Sequence, residues 1–229
     1  MQLVLDPGDR IYLIGFGGNY GSLGLRVRDL HGEGDVLLTA AHVVGSLAEG
    51  HDETDRVATL GDQIFGQVLR SVPAVNDDQA DPLELEIDAS IIKPKWNVRS
   101  PRVVDDVDVS GGIYDLSTHD FDAAPIFVKR GATTGVTRGC LVDTAADFHV
   151  DTSTRELYYP SGLLIDSMGA DLFATSGDSG AIVVAEDGLV LGLVVGVFKP
   201  TKADPSPSTF CLPIGPILDA LEVDLIGPG

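Results

Sequence analysis

The chain has 229 residues, with 15 basic and 35 acidic side chains and a formal charge of −20. Apolar residues make up 44% and charged residues 22%, a globular composition rather than a disordered one. Clustered Lys and Arg are what phosphate backbones require, so this balance argues against nucleic acid, and the absence of an apolar run near 20 residues argues against a membrane helix.

In chain order, short apolar runs alternate with Gly- and Pro-bearing turns. RIYLIGFG (from Arg10), GLRVRDL (from Gly24), DVLLTAAHVV (from Asp35), QIFGQVLRSV (from Gln63) and LEIDASIIK (from Leu85) read as strands. VRSPRVVDDVDVSGGIYDLSTHD (from Val98) is polar and reads as a connection between two β halves. A second series follows: APIFVKRG (from Ala124), GCLVDTAADFHV (from Gly139), RELYYPSGLLID (from Arg155), GAIVVAEDGLVLGLVVGVF (from Gly180) and STFCLPI (from Ser208). Within it, Asp187-Gly188 is a hairpin turn signal. PIGPILDALEVDL, from Pro213, reads as the one helix, with Ile217, Leu218, Leu221 and Val223 at near-helical spacing. Many short strands predict an all-β sandwich or pair of barrels.

The acidic stretches HDETD (from His51) and VNDDQADPLELE (from Val75) look like loops, so the charge reads first as solubility and second as steering of basic partners. Cys140 and Cys211 fit either two reduced thiols or one disulfide, and neither has metal-site spacing. The opening MQLVLDPGDR lacks the basic start and apolar stretch of a secretory signal, which predicts a cytoplasmic protein. His31, His51, His119 and His149 lie in polar contexts and read as solvated, and Trp96 and Phe198 read as core.

Three stretches carry chemistry: LLTAAHVV with His42, LEIDASIIK with Asp88 and TSGDSGAIVV with Ser179. A serine hydroxyl is a poor nucleophile until a base takes its proton. An imidazole is suited to do so near neutral pH, and a carboxylate on its other nitrogen fixes the tautomer and stabilises the imidazolium. In the GDSG turn the flexible Gly177 lets the N–H groups of Gly177 and Ser179 converge on one point, as an oxyanion hole requires.

In these motifs and their order the chain resembles the bacterial trypsin-like (chymotrypsin-fold) serine proteases. The likeness extends to KRGATTGVTRG (from Lys129) and to the ending TFCLPIGPILDALEV (from Thr209). It implies two antiparallel Greek-key β-barrels with a C-terminal helix, the first over residues 1–110 with His42 and Asp88, the second over 111–229 with Ser179. The implied activity is serine endopeptidase cleavage of a polypeptide substrate through an acyl-enzyme, with no metal or organic cofactor. It also implies that Asp178 turns inward onto an internal base, Lys129 in preference to Arg130. The residue six before the nucleophile, Phe173, would floor the primary specificity pocket. Val195, Gly196 and Val197 would wall it and pair with substrate as an added strand. Phe173 offers a basic side chain no partner, so small or medium apolar residues are expected. The alternatives are a catalytically silent interaction module and an esterase. An intracellular protease implies narrow specificity or a regulatory protein partner.

Overall fold

The structure, a computed structural model, describes residues 4–14, 20–44, 57–60, 63–74, 86–95, 103–123, 125–151, 156–198 and 207–227. His51, Trp96 and most of the two acidic stretches lie outside these residues.

The N-terminal half forms an antiparallel sheet. Its strands are β1 (Arg10–Leu13), β2 (Gly21–Ser22), β3 (Arg26–Asp29), β4 (Asp35–Thr39), β5 (Val57–Leu60), β6 (Gln63–Val72) and β7 (Ala89–Pro94). Alternation sets the facing: β3, RVRD, buries Val27 and Asp29 and turns Arg28 out. The sheet curls because β2 and β3 are two ends of one bent segment. That segment starts against β1, crosses β4 where Gly24 N–H meets Leu38 O and Leu38 N–H meets Leu25 O, each at 2.8 Å, and ends paired with β4.

β8 (Val103–Val104) and β9 (Val107–Asp108) form a small hairpin in the stretch read as a bare connection. A 3₁₀ turn follows at Leu116–Thr118, capped by Asp115 Oδ1, which accepts the Ser117 N–H at 2.9 Å. The C-terminal half is a closed antiparallel barrel of β10 (Ile126–Gly131), β11 (Gly135–Asp151), β12 (Glu156–Ser167), β13 (Ile182–Ala185), β14 (Val190–Val197) and β15 (Thr209–Pro213). Its hydrogen-bonded order is β10-β11-β12-β15-β14-β13, closed by β13 on β10. Asp187-Gly188 makes the β13–β14 hairpin, with Gly188 at φ +84°. The fold is thus a chymotrypsin-like double β-barrel with a C-terminal helix.

Two helical segments differ from the sequence reading. β4 stops at Thr39, and the run read as strand continues as a single helical turn, α1 (Ala41–Val44). The C-terminal helix α2 spans Ile214–Leu221 and does not reach Val223. Glu222 takes the left-handed conformation at φ 50°, which ends the helix, and β16 (Val223–Leu225) then pairs with β3. The tail therefore returns to the first sheet. Arg70 holds it there through Nε and Nη2 bonds to Leu221 O at 3.1 and 2.8 Å and an ion pair with the buried Asp29.

One apolar cluster runs through both halves, taking in Leu38, Phe65 and Ile91 from the first and Val128, Leu193 and Phe210 from the second, with Ile217 of α2. A smaller one, with Phe127, Leu163, Phe173 and Val194, fills the closed barrel. Cys140 and Cys211 are unbonded. His119 packs edge-on against Phe121 and pairs with Tyr114 Oη at 2.9 Å, so it is less solvated than its polar neighbours imply.

Candidate active site

α1 presents one polar side chain. Ala41, Val43 and Val44 are buried, which leaves the His42 side chain outward and 35% exposed. Asp88 sits just before β7, enclosed on all sides. Its carboxylate grips His42 twice: Oδ1 accepts the backbone N–H at 2.9 Å, and Oδ2 lies 2.5 Å from Nδ1. The Tyr159 hydroxyl, from β12 of the other barrel, donates to the same Oδ2 at 3.0 Å.

The electrostatics follow from this geometry. Burial works against a charged imidazole, but the Asp88 charge and hydrogen bond outweigh it and hold His42 above its ordinary pKa. Burial would likewise raise Asp88. The His42 charge and the donors from His42 and Tyr159 overcome that and keep it below the usual carboxylate value.

Ser179 lies on the bend between β12 and β13. That bend is pinned to the first barrel, because Ser22 N–H donates to Ser179 O at 2.7 Å. A β-carbon on Gly21 would stand 2.7 Å from Ser179 O and 2.3 Å from Val43 Cγ2, so the bend carrying Ser179 lies against the turn that carries His42. The Ser179 hydroxyl donates to Val195 O at 3.0 Å rather than to His42. Among the described residues, the N–H groups of Gly177 and Ser179 have no acceptor, whereas Asp178 N–H donates to Thr175 O at 3.0 Å. Gly177 has φ +96°, and a β-carbon there would strike Thr133 Oγ1 and the Tyr20 ring, both at 2.4 Å. No other residue type fits this bend without displacing them.

Asp178 points away from the site and is fully buried. Its oxygens accept from Thr133 N (2.8 Å), Thr134 N (3.2 Å), Thr134 Oγ1 (2.7 Å) and Thr175 N (3.0 Å). Lys129 Nζ, also fully buried, is 3.4 Å from Asp178 Oδ2. Arg130 instead reaches Asp6 at 3.7 Å on the surface. Burial pushes the Lys129 ammonium below its ordinary pKa, and the Asp178 charge opposes the shift.

Phe173 is 1% exposed and belongs to the closed barrel's core. Its carbonyl accepts from Thr137 Oγ1 at 2.6 Å, and its ring lies 5.9 Å from Lys129 Nζ. Val195 is buried, while Gly196 and Val197 are half-buried at the end of β14. A β-carbon on Gly196 would meet the Phe148 ring at 2.4 Å.

The structure therefore gathers His42 with Asp88, and Ser179 with Gly177 and Val195, and sets the two groups on facing barrels. Sequence reasoning missed Tyr159. ELYYPSG carries adjacent tyrosines that a strand turns to opposite faces, and nothing in the pattern says which one meets Asp88. Among the described residues, no group of three or more metal-ligating side chains occurs, and no helix is long and apolar enough to cross a membrane.

No protein-family model and no curated protein matches the chain. Solved structures do. Thermobifida fusca protease A is 19% identical with a TM-score of 0.67, over 98% of this chain and 100% of that one. The Nocardiopsis protease is 19% identical with a TM-score of 0.65, over 97% and 98%. The Cellulomonas bogoriensis chymotrypsin is 17% identical with a TM-score of 0.63, over 99% and 100%. The chain shares the fold of these bacterial chymotrypsin-fold serine proteases across nearly its whole length.

Proposed function

We propose that the protein is a serine endopeptidase that hydrolyses peptide bonds through Ser179, His42 and Asp88. The observation that carries this reading is the orientation of His42. A buried carboxylate 2.5 Å from Nδ1 leaves Nε2 of a half-exposed imidazole as the free basic nitrogen.

In this scheme Ser179 Oγ swings from Val195 O to His42 Nε2 and gives up its proton as it attacks the scissile carbonyl. The oxyanion forms between the N–H groups of Gly177 and Ser179, which have no acceptor among the described residues. His42 hands the proton to the leaving amine, and water then attacks the acyl-enzyme by the same route. The substrate's acyl side adds as a strand beside Val195–Val197, where its N–H replaces the Ser179 hydroxyl on Val195 O. Phe173 offers no acidic partner, so the side chain next to the scissile bond is small or medium and apolar, not basic.

One observation favours a second reading, a silent interaction module built on this fold: the Ser179 hydroxyl is bonded to Val195 and not to His42. A fluorophosphonate probe separates the two. Wild type labels at Ser179, and Ser179→Ala loses labelling at an unchanged melting temperature. A folded wild type that stays unlabelled rejects the protease. A matched ester and amide pair tests the esterase alternative, and a peptide library cut mainly after Arg or Lys rejects the pocket assignment.

A further inference from the structure

Tyr159 has no part in the scheme above, yet it joins the two barrels at the charged end of the site. It lies on β12 of the closed barrel and is 1% exposed. Its ring packs beside Phe148 and Phe210, with centroids 6.0 and 5.9 Å away, and these two stack on each other at 4.8 Å. Phenylalanine would satisfy such surroundings. A hydroxyl there is costly unless it finds an acceptor. The acceptor it finds is Oδ2 of Asp88, the oxygen that also faces His42 Nδ1.

From this arrangement we infer that Tyr159 is a positioning residue of the triad, holding the Asp88 carboxylate in line with His42 from the opposite barrel. The inference rests on the protease reading for its kinetic consequences. Asp88 Oδ1 is fixed by the His42 backbone, within its own barrel. Oδ2 faces His42 Nδ1 and is held on its other side by the Tyr159 hydroxyl, from the barrel that also carries Ser179. The acid and base of the first barrel are thus aligned by the same body that brings the nucleophile. The ring contacts continue to Phe148, which abuts Gly196 on the strand assigned to substrate. Alignment of Asp88 is therefore in packing contact with the substrate strand.

The bond also has an electrostatic sign. By donating to Oδ2, Tyr159 draws off part of the carboxylate's charge and weakens its hold on the imidazolium. Burial raises the Tyr159 phenol well above its ordinary value, and of the titratable groups around it Asp88, by charge and hydrogen bond, and then Glu86 add to the rise. The phenol is therefore a neutral donor throughout the working range. Without the hydroxyl, Asp88 binds a proton on His42 more strongly.

The test is Tyr159→Phe, read by kinetics and by NMR titration of His42. The expected result is a fall in kcat of about tenfold with KM within about twofold. The acid limb of kcat/KM and the NMR pKa of His42 should both move up. Replacing Tyr159 by 3-fluorotyrosine keeps both ring and hydroxyl, and so supplies a second variant should Tyr159→Phe fail to fold. This stronger donor should move both values down. A role confined to packing lowers the melting temperature of Tyr159→Phe and shifts neither titration. If wild type labels at Ser179 while His42 titrates identically in all three proteins, the positioning role is overturned. If wild type never labels but His42 shifts in these directions, the protease reading fails and the clamp on Asp88 stands.

Discussion

A histidine that serves as a base is useful only when neutral, so what sets its proton affinity sets the pH at which the site works. At His42 two effects oppose each other. Burial disfavours the imidazolium, the buried Asp88 charge 2.5 Å away favours it, and the second wins. The acid limb of kcat/KM should therefore lie above the ordinary imidazole value of about 6.5. A limb at or below that value would show that Asp88 does not face His42 in solution. The same pair has a stability signature. His42 is raised on folding, so its contribution is present below its unfolded pKa and is lost as pH rises through the folded one. Asp88 is depressed, so its contribution is present above its unfolded pKa and is lost as pH falls through its folded one. The pair thus stabilises most between these limits, on the acid side of the pH range in which the His42 imidazole is neutral. Asp178 is held in another way: its oxygens meet four neutral donors besides Lys129, so the bend carrying Ser179 does not depend on the ion pair alone.

At the scale of elements, the decisive event at the C-terminus is one residue, Glu222. Its left-handed conformation reverses the chain between α2 and β16, and its N–H bonds back to Asp219 O and Leu218 O. A glycine fits this conformation without strain, whereas a β-branched side chain clashes with its own backbone. Glu222→Val should cost about 1–2 kcal/mol, and Glu222→Gly should be tolerated. Losing the exposed His31–Glu222 contact is common to both and worth at most about 1 kcal/mol. Urea melts of the two variants measure the difference, and equal midpoints would mean that the helix ends for another reason. This residue also shows where the sequence was legible. The period of three and four that marks α2 continues from Leu221 to Leu225, four positions on, and only the backbone conformation of Glu222 says that the helix has ended. Likewise TAAHVV continues the apolar run of β4, so α1 is invisible to periodicity. The long strands were readable because alternation or unbroken burial marks them, as in Val190–Val197. The pairing of His42 with Asp88 and the bend at Ser179 were legible because short motifs mark them. Tyr159 was not, because its partner is 71 residues away on the other barrel and leaves no local pattern.

The whole molecule carries a net charge of −20, and its fold has to hold those charges together. A compact chain of this length has a radius of gyration of about 17 Å. The screening length is about 30 Å at 0.01 M salt and about 10 Å at 0.1 M. At the lower concentration most acidic side chains therefore feel one another across the molecule, and at the higher one only near neighbours do. Unfolding relieves this repulsion, so screening stabilises the folded state more than the unfolded one. The exposed ion pairs, such as Lys93–Glu33 and Arg138–Asp105, weaken with salt, but each is worth little. The buried Lys129–Asp178 pair is shielded from ions and adds almost nothing to the slope. Repulsion should win, and the melting temperature should rise by several degrees between 0.01 and 0.15 M NaCl, since about 1 kcal/mol moves a protein of this size by about 2–4 °C. Tetramethylammonium chloride should give the same rise, because screening depends on ionic strength and not on the cation. A rise seen with sodium alone would indicate site binding, and a flat or falling profile would mean that the ion pairs outweigh the field. The same negative field favours protonation of His42, so added salt should also carry the acid limb of kcat/KM downward while leaving it above the ordinary imidazole value that Asp88 enforces at close range.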